Sequence, residues 1–513
     1  MNIDRITQKF IETFPGDFSG NPMQRQTPKV LFSTIEPVGF ANPKLIAYND
    51  QLSEDIGLGI YQPENLNFLV GNHLPENIRP YATAYAGHQF GNWAGQLGDG
   101  RAIFAGEITN SDGNTNEIQW KGAGATPYSR HADGRAVLRS SVREFLMSEA
   151  MHHLGIPTTR ALSLAFTGED LMRDIMYDGN PELEKGAVMI RTAESFLRMG
   201  HFELLSAQNE TETLKQLADF TIENYFPEID TKSEEKYFLL FQEIANLTSD
   251  LIVDWLRVGF VHGVMNTDNM SLLGLTIDYG PFSFLDEYSL NFTPNTTDLP
   301  DRRYAFGNQP KIAQWNLWQL ANALFPLIKD EQKLEQTLNQ FGTDFWKKHD
   351  QMMASKLGLD SVLQGDDELF TGLQSLMENL ELDYTLFFRQ LETWKNSEDA
   401  EAHFAQTFYS PVTTEKLNAL RMFLDDYEIR LQKNSITSEE SKQLMKKNNP
   451  KFILRNYLLF ECIQELNEGK KELFEKLWTA LKNPYEEVHP EFSAKRPSKY
   501  NSTPGCSTLS CSS

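Results

Sequence analysis

The sequence predicts an α+β protein of two lobes, strand-rich first and mainly helical after. Three observations predict it. Residues 79–192 alternate glycine-rich turns with short apolar runs such as RAIFAGEI and EIQWK, the pattern of strands joined by tight turns. From Ile312 to about Leu481, apolar residues recur at helical spacing, as in WNLWQLANALFPLI. Between these parts, Val261–Asp286 reads VHGVMNTDNMSLLGLTIDYGPFSFLD and gathers carboxylates and an amide around a short apolar run.

Length and composition bound the answer. At ~150 residues per domain, 513 residues suggest about three domains, or a two-lobed enzyme with extensions. Hydrophobic content of 40% and aromatic content of 12% belong to a folded chain. A net charge of −24 argues against nucleic acid or an anionic membrane as the main partner. The N-terminus mixes acids and bases without an apolar core, unlike a secretory signal. No run of about 18 apolar residues predicts a membrane span. Three cysteines are too few for a disulfide framework. A cytoplasmic monomer is expected.

The chain divides into an N-terminal extension (1–78), a strand-rich lobe (79–200), a mainly helical lobe with extension (201–481) and a flexible tail (482–513). In the extension, Lys29–Phe32 reads as a strand. Pro43–Ile56 reads as a helix, with Asn42 as N-cap and Gly57 and Gly59 as stops. Gly87, Gly91, Gly95, Gly98 and Gly100 then crowd fourteen positions. Gln96–Ile108 reads as a turn and then a strand, joined to its partner strand Glu117–Lys121 by a turn at Asp112-Gly113. A glycine-rich hairpin brings backbone N–H groups close to phosphate, because no Cβ intervenes. Arg101 directly follows Gly98-Asp99-Gly100, and Lys121 lies on the next strand.

Arg135–Leu154 has one apolar face, with Leu138, Val142, Phe145, Leu146, Ala150 and Leu154. Gly155 and Pro157 end it. Glu144 and Glu149 are its acidic candidates, and Glu144, beside the apolar stripe, is the choice to pair with Lys121. Before this helix, Asp133-Gly134 forms a second turn. Tyr128, Ser129 and Arg130 either line a site or face solvent. Strands TTRALSLAF and AVMIRT follow, then RTAESFLRMGHFE, in which Arg191 and Arg198 converge if Ser195 onward is helical. Arginines between two lobes suit phosphates. Residues 211–258 read as mostly helical, and Asn291–Pro310 has the polar, glycine- and proline-punctuated character of an activation or substrate loop.

The central stretch carries the chemistry. Asp268-Asn269, a predicted strand and Asp278-Tyr279-Gly280 offer oxygen ligands suited to Mg²⁺ beside substrate phosphates. Protein kinases use this order: catalytic Asp, Asn, then the Asp of D-F-G. Here the loop is compressed, with Asn directly after Asp, and the last motif is D-Y-G.

Together YAGHQFGNWAGQLGDGRA, QWKGAGATPYSRHADGRAVLRSSVREFLMSEAM, RTAESFLRMGHFE, HGVMNTDNMSLLGLTIDYGPF and the terminal CSS resemble the selenoprotein O family, densely over residues 79–310. The resemblance implies a protein-kinase-like fold that binds ATP in a flipped orientation and transfers AMP to Ser, Thr or Tyr hydroxyls of proteins. It implies that Asp268 accepts the hydroxyl proton and that Asn269 and Asp278 hold Mg²⁺. Lys121 would contact phosphate and pair with Glu144. Arg191 and Arg198 would bind the phosphates of the inverted nucleotide. Gly98, Gly100 and Arg101 would form the glycine-rich loop contacts, with Asp133 and Gly134 also at the nucleotide. UMP transfer from UTP with Mn²⁺ is a variant of the same chemistry. A conventional kinase or a nucleotide-binding pseudokinase scaffold competes with it. Some family members end in a Cys or selenocysteine paired with a nearby Cys. Here Cys511 stands five residues after Cys506, so a redox role leaves either Cys506 or Cys462 as its partner.

Overall fold

The computed structural model describes residues 1–175, 179–506 and 509–510. It is a mixed α+β structure with one large sheet and many helices. The strands used below are β1 (Gly16–Asp17), β2 (Phe32–Thr34), β3 (Lys44–Tyr48), β4 (Tyr81–Thr83), β5 (Ala86–Gln89), β6 (Asn92–Gln96), β7 (Ala102–Thr109), β8 (Thr115–Lys121), β9 (Ala136–Val137), β10 (Arg160–Arg173) and β11 (Glu182–Ala193). The large sheet runs β1-β2-β4-β7-β8-β11-β10-β3, with β9 added beside β11. Only β1 and β2 pair in parallel; the other described pairs in this sheet are antiparallel. The hairpin β5–β6 stands apart from it.

Strand alternation decides which side chains reach the site. On β8, Ile118 and Trp120 share one face and Glu117, Gln119 and Lys121 the other. Trp120 packs against Phe68 of the N-terminal region, ring centroids 5.3 Å apart, and its Nε1 donates to Phe68 O at 2.8 Å. The polar face therefore turns inward, toward α1 (Leu138–His153). This helix is buried from Leu138 to Met151, because more than the sheet covers it. Phe145 also meets Phe474 at 5.8 Å and Trp478 at 5.2 Å, side chains of a C-terminal helix.

Several expectations change in three dimensions. The extension is not separate, since β1, β2 and β3 are strands of the large sheet. The helix read over Pro43–Ile56 is a strand followed by a short helix, Asp50–Asp55. Pairing with β10 extends Lys44–Tyr48, and the cap is Asn49, whose side chain accepts from the Leu52 N–H at 3.3 Å. The strand read over Lys29–Phe32 begins only at Phe32, as β2, because Lys29 turns the chain with φ +64°. The helix read from Arg135 starts at Leu138, since Ala136 and Val137 pair with β11. The strand expected between Asn269 and Asp278 is reduced to isolated bridges at Ser271 and Thr276.

The tail is packed where described. Tyr500, Cys506 and Leu509 are buried. The Leu509 N–H donates to Pro294 O at 3.2 Å, and Thr296 N–H donates to Leu509 O at 2.8 Å. Arg496, itself in the tail, anchors it to the body: its Nη1 lies 2.9 Å from Asp286 and its Nη2 2.7 Å from Glu287. Cys511 lies outside the described residues.

Candidate active site

Six of the sequence-selected residues, Lys121, Glu144, Arg191, Arg198, Asp268 and Asp278, meet between the sheet and the 268–278 loop. Lys121, at the end of β8, places Nζ 2.6 Å from Glu144 Oε2 and 3.3 Å from Asp278 Oδ1. Arg191 on β11 is held across the strand by Gln119 at 2.6 Å. Its Nη1 lies 2.9 Å from Glu144 and 2.6 Å from Asp278. Arg198 caps α2 (Met199–Ala207), pairs with Asp278 Oδ2 and donates to the Asp268 backbone O at 2.8 Å. The two guanidinium groups rest on Phe196 and Tyr85, at 4.9 and 4.6 Å from the ring centroids. Asn269 follows Asp268 in the chain; its Nδ2 donates to Val264 O at 2.9 Å, and no described contact joins its side chain to Asp278.

The electrostatics follow from burial and charge. Burial pushes the Asp278 carboxyl up, but Arg198, Arg191 and Lys121 outweigh it and hold the group well below the usual carboxylate range. Burial, with Arg191 beside it, lowers Lys121. Among the described residues no cation contacts the Asp268 carboxylate, and burial pushes it up to about 6. Gln89 Nε2 donates to its Oδ2 at 3.1 Å, while Oδ1 is buried with no hydrogen-bond partner among the described residues. An unsatisfied buried carboxylate oxygen costs desolvation energy that a ligand can return. Asp278 sits at φ +57°, in the left-handed region that costs a non-glycine residue about 1–3 kcal/mol. The surrounding ion pairs hold it there.

The other sequence-selected residues sit differently. Gly98 and Gly100 do face a tight approach, but to the protein itself: a Cβ on Gly98 would lie 2.4 Å from the Tyr128 ring, and one on Gly100 2.9 Å from Tyr128 O. Arg101 is close enough to Lys121 to depress it. Asp133 pairs with Arg173 at 2.8 Å on a partly exposed edge, and no described contact joins it to the Asp278 cluster. Gly134 abuts Gly124, where a Cβ would lie 2.1 Å from its carbonyl oxygen. Cys462 and Cys506 are both buried, and neither forms a disulfide among the described residues. Burial pushes Cys506 up to about 12.

Some members of the site escaped the sequence reading. Gln119 was missed although strand alternation made it legible, since it shares the β8 face of Lys121. Gln89, His88 and Glu203 were not legible. The hairpin β5–β6 lies on the 267–268 turn because Gly87 has no Cβ; one would fall 2.9 Å from Thr267 Oγ1. The His88 N–H donates to Thr267 Oγ1 at 2.7 Å, His88 Nδ1 lies 2.7 Å from Glu203, and Thr267 Oγ1 donates to Glu203. His201 was also missed: its Nδ1 accepts from the Arg198 N–H at 3.2 Å and fixes the turn that aims Arg198. Burial and Arg198 push this histidine down to about 3, so it is neutral.

Asp268, Asn269 and Asp278 supply two carboxylates and an amide oxygen, a donor chemistry that fits a hard cation. The unpartnered Asp268 Oδ1 agrees with that fit. Three cations beside these carboxylates suit an anionic, phosphate-bearing substrate.

The class is that of a nucleotidyltransferase. The chain matches the family model described as protein adenylyltransferase SelO over residues 19–482. It is similar to the protein nucleotidyltransferase YdiU of Cytophaga hutchinsonii, 48% identical over 99% of both chains. It is 45% identical to that of Flavobacterium johnsoniae, again over 99% of both. It is 45% identical to that of Nitrosospira multiformis, over 99% of this chain and 96% of the relative. The chain belongs to the SelO family.

Proposed function

We propose that this enzyme transfers AMP from ATP to Ser, Thr or Tyr hydroxyls of proteins and releases pyrophosphate. The observation that carries the reading is the surplus of buried cation on one carboxylate, Arg191, Arg198 and Lys121 around Asp278, beside the unpartnered oxygen of Asp268. The Lys121–Glu144 pair on strand and helix supports a protein-kinase-like fold. ATP enters with its β- and γ-phosphates toward Arg191 and Arg198, which exchange part of their bonding to Asp278 for phosphate oxygens. The α-phosphorus then faces Asp268. The acceptor oxygen attacks that phosphorus, its proton passes to Asp268, and the bond to the pyrophosphate oxygen breaks. Arginines already in place stabilise the departing charge without reorganisation. Asn269 and Asp278 would hold the divalent cation, Mg²⁺ or Mn²⁺, which when bound supplies Lewis-acid stabilisation of phosphate charge.

ATP labelled separately at the α- and γ-phosphates tests the reading. Label retained on protein from the α position is the expected result. Label from γ alone means phosphorylation, and label from neither means a binding scaffold. Competition between ATP and UTP, each with Mg²⁺ or Mn²⁺, distinguishes AMP from UMP transfer.

A further inference from the structure

An aromatic track leads away from Asp268 across the surface. Gln89, bonded to Asp268, is followed back along β5 by His88, whose ring is 5.0 Å from Trp93 and 5.4 Å from Trp315. Trp315 belongs to α3 (Gln309–Ile328). With α4 (Glu331–Lys356), this helix walls an open groove of about 770 Å³ that includes Trp315, Trp318 and Phe325. Trp318 is 59% exposed, Trp93 47% and Phe325 44%. Large aromatic side chains exposed in a row mark an interaction site more often than isolated ones do.

The charge along the track is directional. Arg303 stacks on Trp315 at 4.5 Å and lies against Gly91 at the hairpin tip. Its Nε is buried without a hydrogen-bond partner among the described residues. Arg302, Arg303 and Lys311 form no ion pair with a described carboxylate, in a chain of net charge −24. At the opposite end, Glu331 and Glu335 line the groove near Phe325, at the turn between the helices. The distance from Lys311 to Phe325 is about 21 Å at 1.5 Å per helical residue. An extended peptide covers that with roughly six residues.

We infer that this track docks the acceptor-bearing segment of the protein substrate: an extended stretch with an acidic residue next to the acceptor, at Arg303, and a large aromatic residue farther out, on Trp318. The inference rests on the proposed transfer to protein hydroxyls and names the substrate class that the same site takes. Continuity from Asp268 through His88 to Trp315, together with the unpaired cations at the near end, selects this occupant over a second copy of the chain.

The test uses fluorescent peptides with a central Tyr, a Glu beside it and a Trp five residues away, against versions with Lys for Glu or Ser for Trp. Anisotropy with the full-length enzyme is expected to show the acidic, aromatic peptide binding at least tenfold tighter than either control. Trp318→Ala removes the aromatic preference and Arg303→Glu reverses the acidic one, while ATP affinity stays within twofold. Equal or absent binding of all peptides overturns the inference, as does a preference unchanged in both variants. α-labelled ATP separates the two readings. Docking with this preference but no label transfer would defeat AMP transfer and leave the track; transfer without preference would do the reverse.

Discussion

Two ionic clusters in this molecule, each built on a buried arginine, have opposite charge balance. Around Asp278, three cations, Lys121, Arg191 and Arg198, contact two carboxylates, Asp278 and Glu144. Behind the same loop, two cations, Arg455 and Arg496, contact three, Asp286, Asp383 and Glu287. The second cluster is closed: Asp383 caps a helix through Leu386 N–H at 3.0 Å and also accepts from Tyr409 at 3.0 Å. It ties the described tail to the body. The first leaves Asp268 Oδ1 unpartnered and Asp278 on a left-handed backbone. A satisfied network holds structure, whereas a cation surplus beside an unsatisfied oxygen is a binding arrangement that an anionic ligand completes.

The sharpest way to break this contrast is Asp278→Ala. It removes a cation-facing carboxylate and leaves three buried cations without it; AMP transfer from α-labelled ATP is expected to fall at least about hundredfold, the order of loss seen when a preorganised charge partner is removed. Full activity would place the metal and phosphate chemistry elsewhere. Arg455→Ala should act on the other side of the comparison. Removing one partner of a buried pair costs about 3–5 kcal/mol, read by urea unfolding, while the transfer rate of the folded enzyme changes less than threefold. Equal damage to rate would mean that the second cluster also serves catalysis.

Lys121→Ala is expected to weaken ATP binding about tenfold, roughly 1.4 kcal/mol, measured by calorimetry. An unchanged affinity would leave Lys121 as a structural partner of Glu144 alone. The smallest effect concerns pH. Burial pushes Glu117 up to about 8 from its ordinary 4.5, against hydrogen bonds from Phe196, Ser195 and Tyr225 that lower it and the neighbouring Glu107 that raises it. The folded protein therefore binds this proton more tightly than the unfolded chain. Its contribution is complete below pH 4.5 and is lost as pH rises toward about 8. Between pH 6 and 8 the wild-type melting temperature should fall by a few degrees more than that of Glu117→Gln; parallel curves would show that Glu117 ionises freely.

Much of the chemistry was legible because it lies in local patterns. Lys121 and Gln119 sit on one face of a strand by alternation, Glu144 flanks the apolar stripe of its helix, and Asp268, Asn269 and Asp278 fall in one short stretch. What failed locally failed for a stated reason. Pro43–Ile56 has helical periodicity, yet its first half pairs with β10 and its second half takes Asn49 as cap. Propensity yields to burial when an edge of the sheet is available.

By itself, the sequence determined the α+β class, the β7–β8 hairpin and the identity of the charged residues, because turns and periodicity depend on near neighbours. Only the tertiary structure decided that Arg191 and Arg198 close on one aspartate, that the Gly87–Gln89 strand covers Asp268, and that the tail is docked against Pro294–Thr296. Those contacts join residues far apart in the chain, and their energies depend on a burial that no local stretch specifies.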